Sequence, residues 1–387
     1  MILGIDASQA NRKNRSGTEW YAFYLLEEFK KLLGGRSDLR VRLYTRGPLR
    51  SDIANNLPEN FEVKILKWPP RHLWGLIRLS WEMLVNAPDI LFCPAHTIPL
   101  TSILSRKPTP KSSTLLGDPG QGRGRTRVFT TLHDVGFKDY PELYDKLSLW
   151  YHRFSAWLAV KYAHHIFTVS EFSKNRIMEN YHLNPSNITV TYLGAYQKSS
   201  AEHSWYTVIA EFGLKPQNYL LYIGRIEPKK NILNMIKGYE MSGSAMPFVL
   251  AGSRINTRDI DAYTEARPDL KAKIRFLNYI SEEDKQALYR GAAVFLFATL
   301  YEGFGLPILE AQCAKTAVIT SNTASNPEVA GEGAVFVNPD SPYEIAQAVR
   351  QLLNNPVLGQ EKIASGLENV KKFQWDQTAE QTLQKLL

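Results

Sequence analysis

Cysteine is almost missing from this chain: only Cys93 and Cys313 occur, far apart and in apolar surroundings. That excludes a cysteine metal cluster and suits a reducing compartment. No apolar run is long enough to span a bilayer. The opening Met1-Ile2-Leu3-Gly4-Ile5-Asp6 reads as a first strand, with no basic region and long apolar core of a signal peptide. No phosphate-binding P-loop, His-Glu-x-x-His or paired-cysteine motif occurs, and no internal repeat beyond a twofold strand–helix recurrence. Acid is in deficit, with a formal charge of +8, which favours anionic partners without choosing between them.

What is present fits two domains, the expectation for 387 residues. The chemistry concentrates in Glu302-Gly303-Phe304-Gly305-Leu306-Pro307-Ile308-Leu309-Glu310-Ala311. It follows the apolar run Ala293-Val294-Phe295-Leu296-Phe297, which reads as a buried parallel strand. Gly303 and Gly305 permit a tight turn and close approach of backbone to a ligand. Pro307 suits a first helical turn, so a helix is expected over residues 306–313, its N-terminus attracting phosphate. Glu302 at the strand end can reach a polyol, and Glu310, one turn into the helix, can accept from a ribose. A plain corner with two solvated acids is the competing reading. Further back, the strand Tyr219-Leu220-Leu221-Tyr222-Ile223 ends in Gly224-Arg225, and Lys229-Lys230-Asn231 opens a helix. Arg225 and Lys230 thus lie at either end of one turn and can converge on a diphosphate. Val128 to Leu132 reads as a strand ending in His133-Asp134, where an imidazole can donate to a hydroxyl.

Glu-x7-Glu around Gly-Phe-Gly-Leu-Pro resembles the donor-sugar site of retaining glycosyltransferases of family 4, the group 1 enzymes with the GT-B fold. The resemblance implies an α/β chain of two Rossmann-like, doubly wound domains facing a cleft: residues 1–197 on the acceptor side, 205–372 on the nucleotide-sugar side, and a final helix over 373–387 crossing back. It implies catalytic roles for His133 and Glu302 in orienting the sugar. It implies donor contacts from Gly17, Arg225, Lys230, Ile280, Gly303, Phe304, Gly305, Leu306 and Glu310. The family carries two adjacent glycines where this chain has Ser16-Gly17, so only Gly17 carries over. The expected reaction moves a hexose from a nucleoside diphosphate sugar to a glycan or lipid-linked acceptor, in the cytoplasm. Gly4-Ile5-Asp6-Ala7 and His133-Asp134 lean towards mannose from GDP-mannose. Arg225, Lys230 and helix amides would carry the leaving charge, so no metal and no further cofactor is expected. A sugar phosphorylase, an epimerase of the same architecture and a basic nucleic-acid binder stay open as alternatives. No nucleic-acid recognition motif occurs, so no nucleic acid is expected as a partner.

The resemblance covers almost the whole chain, is strongest over residues 219–339 and weak over 68–127, where two stretches stand out. Residues 68–86 hold Trp68, Trp74 and Trp81 with Lys67, Arg71 and Arg78 nearby, and Leu73, Ile77 and Leu84 suit one helical face. The face packs inward, or it anchors at an anionic membrane surface. Residues 105–127 are rich in Pro and Gly and carry six basic residues against the single acid Asp118, which predicts a mobile loop. Helices are expected over residues 19–33 and 143–163, and an interdomain linker over 197–204. Ser170, Ser281 with Asp284, and Ser341 with Glu344 are expected as helix caps.

Overall fold

The computed structural model describes residues 1–68, 73–104, 126–195 and 204–387. The expected basic loop, all but Thr126 and Arg127, and the expected linker, all but Ser204, lie outside the described residues; Ser204 opens helix Ser204–Glu211.

The chain forms two units, Met1–Leu193 with Trp375–Leu387, and Gly194–Gln374. In the first unit, seven parallel strands stand in the order β3-β2-β1-β4-β5-β6-β7. They are β1 (Ile2–Asp6), β2 (Arg40–Thr45), β3 (Phe61–Ile65), β4 (Ile90–Cys93), β5 (Arg127–Thr131), β6 (His165–Thr168) and β7 (Ile188–Val190). In the second unit, six parallel strands stand in the order β10-β9-β8-β11-β12-β13. They are β8 (Leu220–Ile223), β9 (Phe248–Ala251), β10 (Ile274–Leu277), β11 (Val294–Phe297), β12 (Ala317–Ser321) and β13 (Ala334–Val337). Both orders reverse direction at a central strand, the place where doubly wound sheets bind ligands beyond their carboxyl ends. Strands β4, β8, β9 and β11 are buried along their whole length. This matches their unbroken apolar sequences and a sheet covered by helices on both faces.

Local signals set most helix ends. Ser170 accepts from the Ser173 amide at 3.0 Å, and Ser281 with Asp284 makes a reciprocal capping box. Three expectations need correction. Helix Lys146–Tyr162 begins later than residue 143, because Pro141–Leu143 forms a 3-10 turn and Asp145 caps the helix through the Leu147 and Ser148 amides. At Ser341 only half a capping box forms: Ser341 caps Glu344, but the Glu344 carboxylate takes the Asn338 amide at 2.8 Å. In the tryptophan segment, a π-turn (Trp74–Arg78) leads into helix Leu79–Val85, and the buried apolar side chains are Trp74, Leu76 and Leu79. Leu73, Ile77 and Leu84 are exposed, so the inward-packing reading fails for them. Their spacing is helical, but the five-residue π-turn rotates that stripe away from the core.

The last helix, Trp375–Leu386, packs on helix Gly17–Leu33 of the first unit, where Trp375 lies 5.2 Å from the Tyr24 ring.

Candidate active site

The second unit builds its strand mouth around the turn after β11. The run 298–305 is pinned from neighbouring connections rather than by its own sequence. Asn231 Nδ2 donates to the Ala298 carbonyl at 2.9 Å, and Ser321 Oγ donates to the Thr299 carbonyl at 2.7 Å. Ser325 Oγ shares its proton between the carbonyls of Glu302 and Phe304, at 2.9 and 2.8 Å. The turn closes at Gly305, whose φ of +101° is a conformation that L side chains rarely adopt. Helix Leu306–Cys313 follows with Pro307 in its first turn, as the sequence implies. Ser325, and the anchoring role of Asn231, escaped the sequence reading. The Ser-Asn-Pro run opening helix Asn326–Ala330 was the available signal.

At the mouth, Lys230 Nζ stands 2.7 and 2.9 Å from the two oxygens of Glu302. Both side chains are mostly covered but reach solvent. Lys230 ends a 3-10 turn, Pro228–Lys230, and the left-handed Asn231 (φ 60°) starts helix Ile232–Ser242. Arg225 lies on the same connection. Its carbonyl accepts from Tyr222 Oη at 3.0 Å, while its side chain is 55% exposed and only 3.6 Å from Glu227. The backbone is therefore fixed and the guanidinium can swing.

Glu310 differs from the expectation of an open carboxylate. It is buried, with one oxygen 2.6 Å from Lys285 Nζ and the other accepting from Tyr289 Oη at 3.0 Å. Burial would lower the Lys285 pKa, but Glu310 and Glu282 outweigh it and push it up to about 12. Burial, with the Glu310 charge, lifts the Tyr289 phenol well above its ordinary value. Phe304 also turns inward, edge-on to Phe373 at 5.8 Å, so any ligand contact there falls to its main chain. Gly303 and Leu306 flank it on the turn. Ile280 is half-buried just before the capped helix Glu282–Gly291, next to the exposed ring of Tyr279.

The first unit places His133 after β5, buried, with the Tyr21 ring edge-on at 4.8 Å. Nε2 lies 3.1 Å from the Pro94 carbonyl. A carbonyl only accepts, so Nε2 carries the proton. Burial holds the His133 pKa below the usual imidazole range, although the Pro94 bond acts the other way. The expected donation to a hydroxyl from Nε2 is thus already engaged, and Nδ1 remains as an acceptor. His96, after β4, lies 6.2 Å from His133 and 5.6 Å from His152. Burial, then these two neighbours, depress its pKa to about 3. Gly17 is the first residue of helix Gly17–Leu33, with open space where a Cβ would stand. Arg12 and Arg15 of the preceding loop pair with Glu19 at 2.9 Å and Asp52 at 2.8 Å. Those cations stabilise the loop itself. Among the described residues no group of three His, Cys, Asp or Glu side chains could hold a metal ion.

Known proteins share both halves of this plan. The pattern of the glycosyl transferases group 1 matches residues 209–370, and that of glycosyltransferase family 4 matches residues 15–195. O-antigen chain mannosyltransferase B of Escherichia coli is 32% identical over 265 residues, covering 66% of this chain and 69% of that protein. O-antigen chain mannosyltransferase RfbU of Salmonella typhimurium is 27% identical over 226 residues, covering 58% of this chain and 61% of its own length. Among solved structures, sucrose-phosphate synthase from Thermosynechococcus elongatus superposes with a TM-score of 0.74 at 16% identity, over 99% of this chain and 98% of that one. Anabaena HepE, solved with UDP-glucose, gives 0.72 at 15% identity, over 100% and 98%. At such identities these two structures speak for the GT-B fold alone.

Proposed function

The chain belongs to the group 1, family 4 glycosyltransferases, and from that premise we propose that it transfers a hexose from a nucleoside diphosphate sugar with retention at the anomeric carbon. Mannose from GDP-mannose is the first candidate donor, supported by the mannosyltransferase names of its relatives. The acceptor is a glycan or a lipid-linked glycan, and the reaction is cytoplasmic.

The observation that carries this reading is the Lys230–Glu302 pair at the mouth of the second unit. In this structure each charge satisfies the other. A donor sugar offers both a replacement: its diphosphate for Lys230, and its hydroxyls for Glu302. As the glycosidic bond breaks, negative charge grows on the diphosphate and the sugar becomes oxocarbenium-like. Lys230, the swinging Arg225 and the helix start at Leu306 stabilise that growing charge. The protein supplies the positive charge itself, so the reaction needs no divalent cation. Main-chain groups of Gly303, Phe304 and Gly305 line the approach to the diphosphate. Glu310 keeps lone pairs for a ribose beside Lys285 and Tyr289, and Ile280 borders the base. Gly17 offers room for a phosphate at its own helix start. His133 orients a sugar hydroxyl, by accepting at Nδ1.

A thermal-shift panel of nucleoside diphosphate sugars tests the reading, followed by donor hydrolysis and proton NMR of the product's anomeric centre. One sugar nucleotide should raise the melting temperature of the wild type and leave Lys230→Ala unmoved. No shift with any of them, or an inverted product, overturns the proposal.

A further inference from the structure

Strands β11 and β12 pair as far as Phe297 and Thr320, and the two connections stay joined beyond that point. Side-chain hydroxyls take over there from backbone amides. Thr323 Oγ1 reaches the Leu300 carbonyl at 3.4 Å, between the bonds already described from Ser321 to Thr299 and from Ser325 to Glu302 and Phe304. Ser325 is fully buried and held in place. Its own carbonyl takes the Val329 amide at 3.0 Å, and the next residue, Asn326, donates to Ser321 Oγ at 2.6 Å and to Thr299 Oγ1 at 3.2 Å. The position of this one hydroxyl is therefore set by the sheet.

The two carbonyls on Ser325 belong to the peptides Glu302–Gly303 and Phe304–Gly305. Each is followed by glycine. Turning such a peptide over changes ψ of the first residue and φ of the glycine, and glycine takes positive and negative φ about equally well. Other residues resist that turn through their Cβ. Glycine is required at 305, where φ is +101° and a Cβ would stand 3.0 Å from Asn326 Oδ1. The corner thus needs a residue that leaves the preceding peptide loose. The Ser325 hydroxyl removes that looseness at both places, 302 and 304.

Holding the carbonyl also aims the amide. In a planar trans peptide the C=O and N–H point in opposite directions. With both carbonyls turned to Ser325, the Gly303 and Gly305 N–H groups point away from it. Glu302 and Gly303 are partly exposed whereas Ser325 is wholly covered, so that direction is the open side of the turn. We propose that Ser325 is a positioning residue for transfer, keeping both glycine N–H groups towards the donor diphosphate. It touches no ligand itself. A peptide turned over would present a carbonyl oxygen to the leaving charge and repel it. The inference rests on the donor reading given above. Its effect falls where charge grows, on kcat more than on KM.

The test compares Ser325→Ala and Ser325→Thr with Thr320→Val, all in the full chain. Thr320 is equally buried and its Oγ1 donates to the Phe297 carbonyl at 2.9 Å, but that peptide precedes no glycine. Turnover is followed with GDP-mannose and UDP-glucose. Ser325→Ala should lower kcat at saturating donor by about tenfold or more, with a much smaller change in KM. Ser325→Thr keeps the hydroxyl and should recover most of that loss. Thr320→Val should lower the melting temperature as Ser325→Ala does, yet keep its kcat. A bond that only supports the fold would lower melting in both and kcat in neither. Wild-type protein labelled with 15N-glycine gives a reading that needs no variant: the Gly303 and Gly305 amide signals should shift on adding GDP or UDP. Ser325→Ala with wild-type kcat overturns this inference alone, as does an equal loss of kcat in Thr320→Val, a folded Ser325→Thr as slow as the alanine variant, or bound nucleotide that leaves both glycine signals unmoved. If the wild type neither binds nor turns over any of these nucleotides, the donor reading falls and this inference with it.

Discussion

Two lysine–glutamate pairs stand at the two ends of one motif. Lys230 and Glu302 have each other at the rim of the strand mouth. Lys285 and Glu310 are covered to nearly the same extent, and there Glu282 adds a second carboxylate at 2.7 Å and Tyr289 a hydroxyl. The residue types are the same, and the number of partners differs. A pair whose members bond to each other alone can exchange those bonds for a ligand. A pair inside a hydrogen-bonded group cannot do so without stranding several buried polar atoms. On the proposed reading the first pair would trade its contact for substrate, whereas the second fixes helix Glu282–Gly291 against helix Leu306–Cys313 and would meet a ribose only through the lone pairs Glu310 keeps spare.

The sharpest way to break this comparison is to remove each pair in turn. Lys230→Ala and Glu302→Ala should each lower transfer by about 10²–10³, the usual cost of losing one contact to a developing charge. Melting should barely change. Near-wild-type turnover in either folded variant would refute the assignment. Lys285→Met should do the reverse and cost roughly 3 kcal/mol of unfolding free energy in denaturant titration, because it leaves Glu310 buried without its cation. If Lys285→Met were as stable as wild type, the two pairs would not differ in kind.

Mild acid gives a smaller effect from outside both pairs. His96 titrates near 3 in the folded protein, against 6.5 for the free side chain. Unfolded chains then bind the proton more readily. The stability is complete above 6.5 and declines as pH falls below it, by at most about 1.4 kcal/mol per pH unit for this group. Melting followed from pH 7 to 5 should show that decline, flattened in His96→Gln. A decline that is equally steep in His96→Gln would place its source elsewhere. The smallest expected effect is none: transfer should survive EDTA, because Lys230 and Arg225 act where a cation otherwise would. A strict requirement for added manganese or magnesium would overturn that expectation.

Sequence alone made the strand–turn–helix corner legible, since an apolar run, spaced glycines and Pro307 all point to the same element. The partnership of Lys230 with Glu302 was within reach, because each sits just past a strand end of a parallel sheet. The partners of Glu310 were not legible. Lys285 and Tyr289 lie one turn apart on another helix, and nothing in their local pattern marks them. His133 was found by its place after a strand, but the Pro94 carbonyl that fixes its tautomer comes from a different connection. The stripe of Leu73, Ile77 and Leu84 shows the limit of periodicity: it gives a face and not the side on which water lies.

The Lys230–Glu302 pair also bears on how the site empties. On the proposed reading, the nucleoside diphosphate left after transfer would still hold Lys230 but offer Glu302 no hydroxyls. The carboxylate would then compete for its lysine, and re-forming the pair would favour release of the spent nucleotide. The pair would thus act as a return spring, favouring an intact donor over its own by-product. Glu302→Gln should accordingly bind nucleoside diphosphate more tightly than wild type, and the intact donor less tightly. Isothermal titration of both ligands reads the two signs, and a variant that weakens both equally would remove the spring.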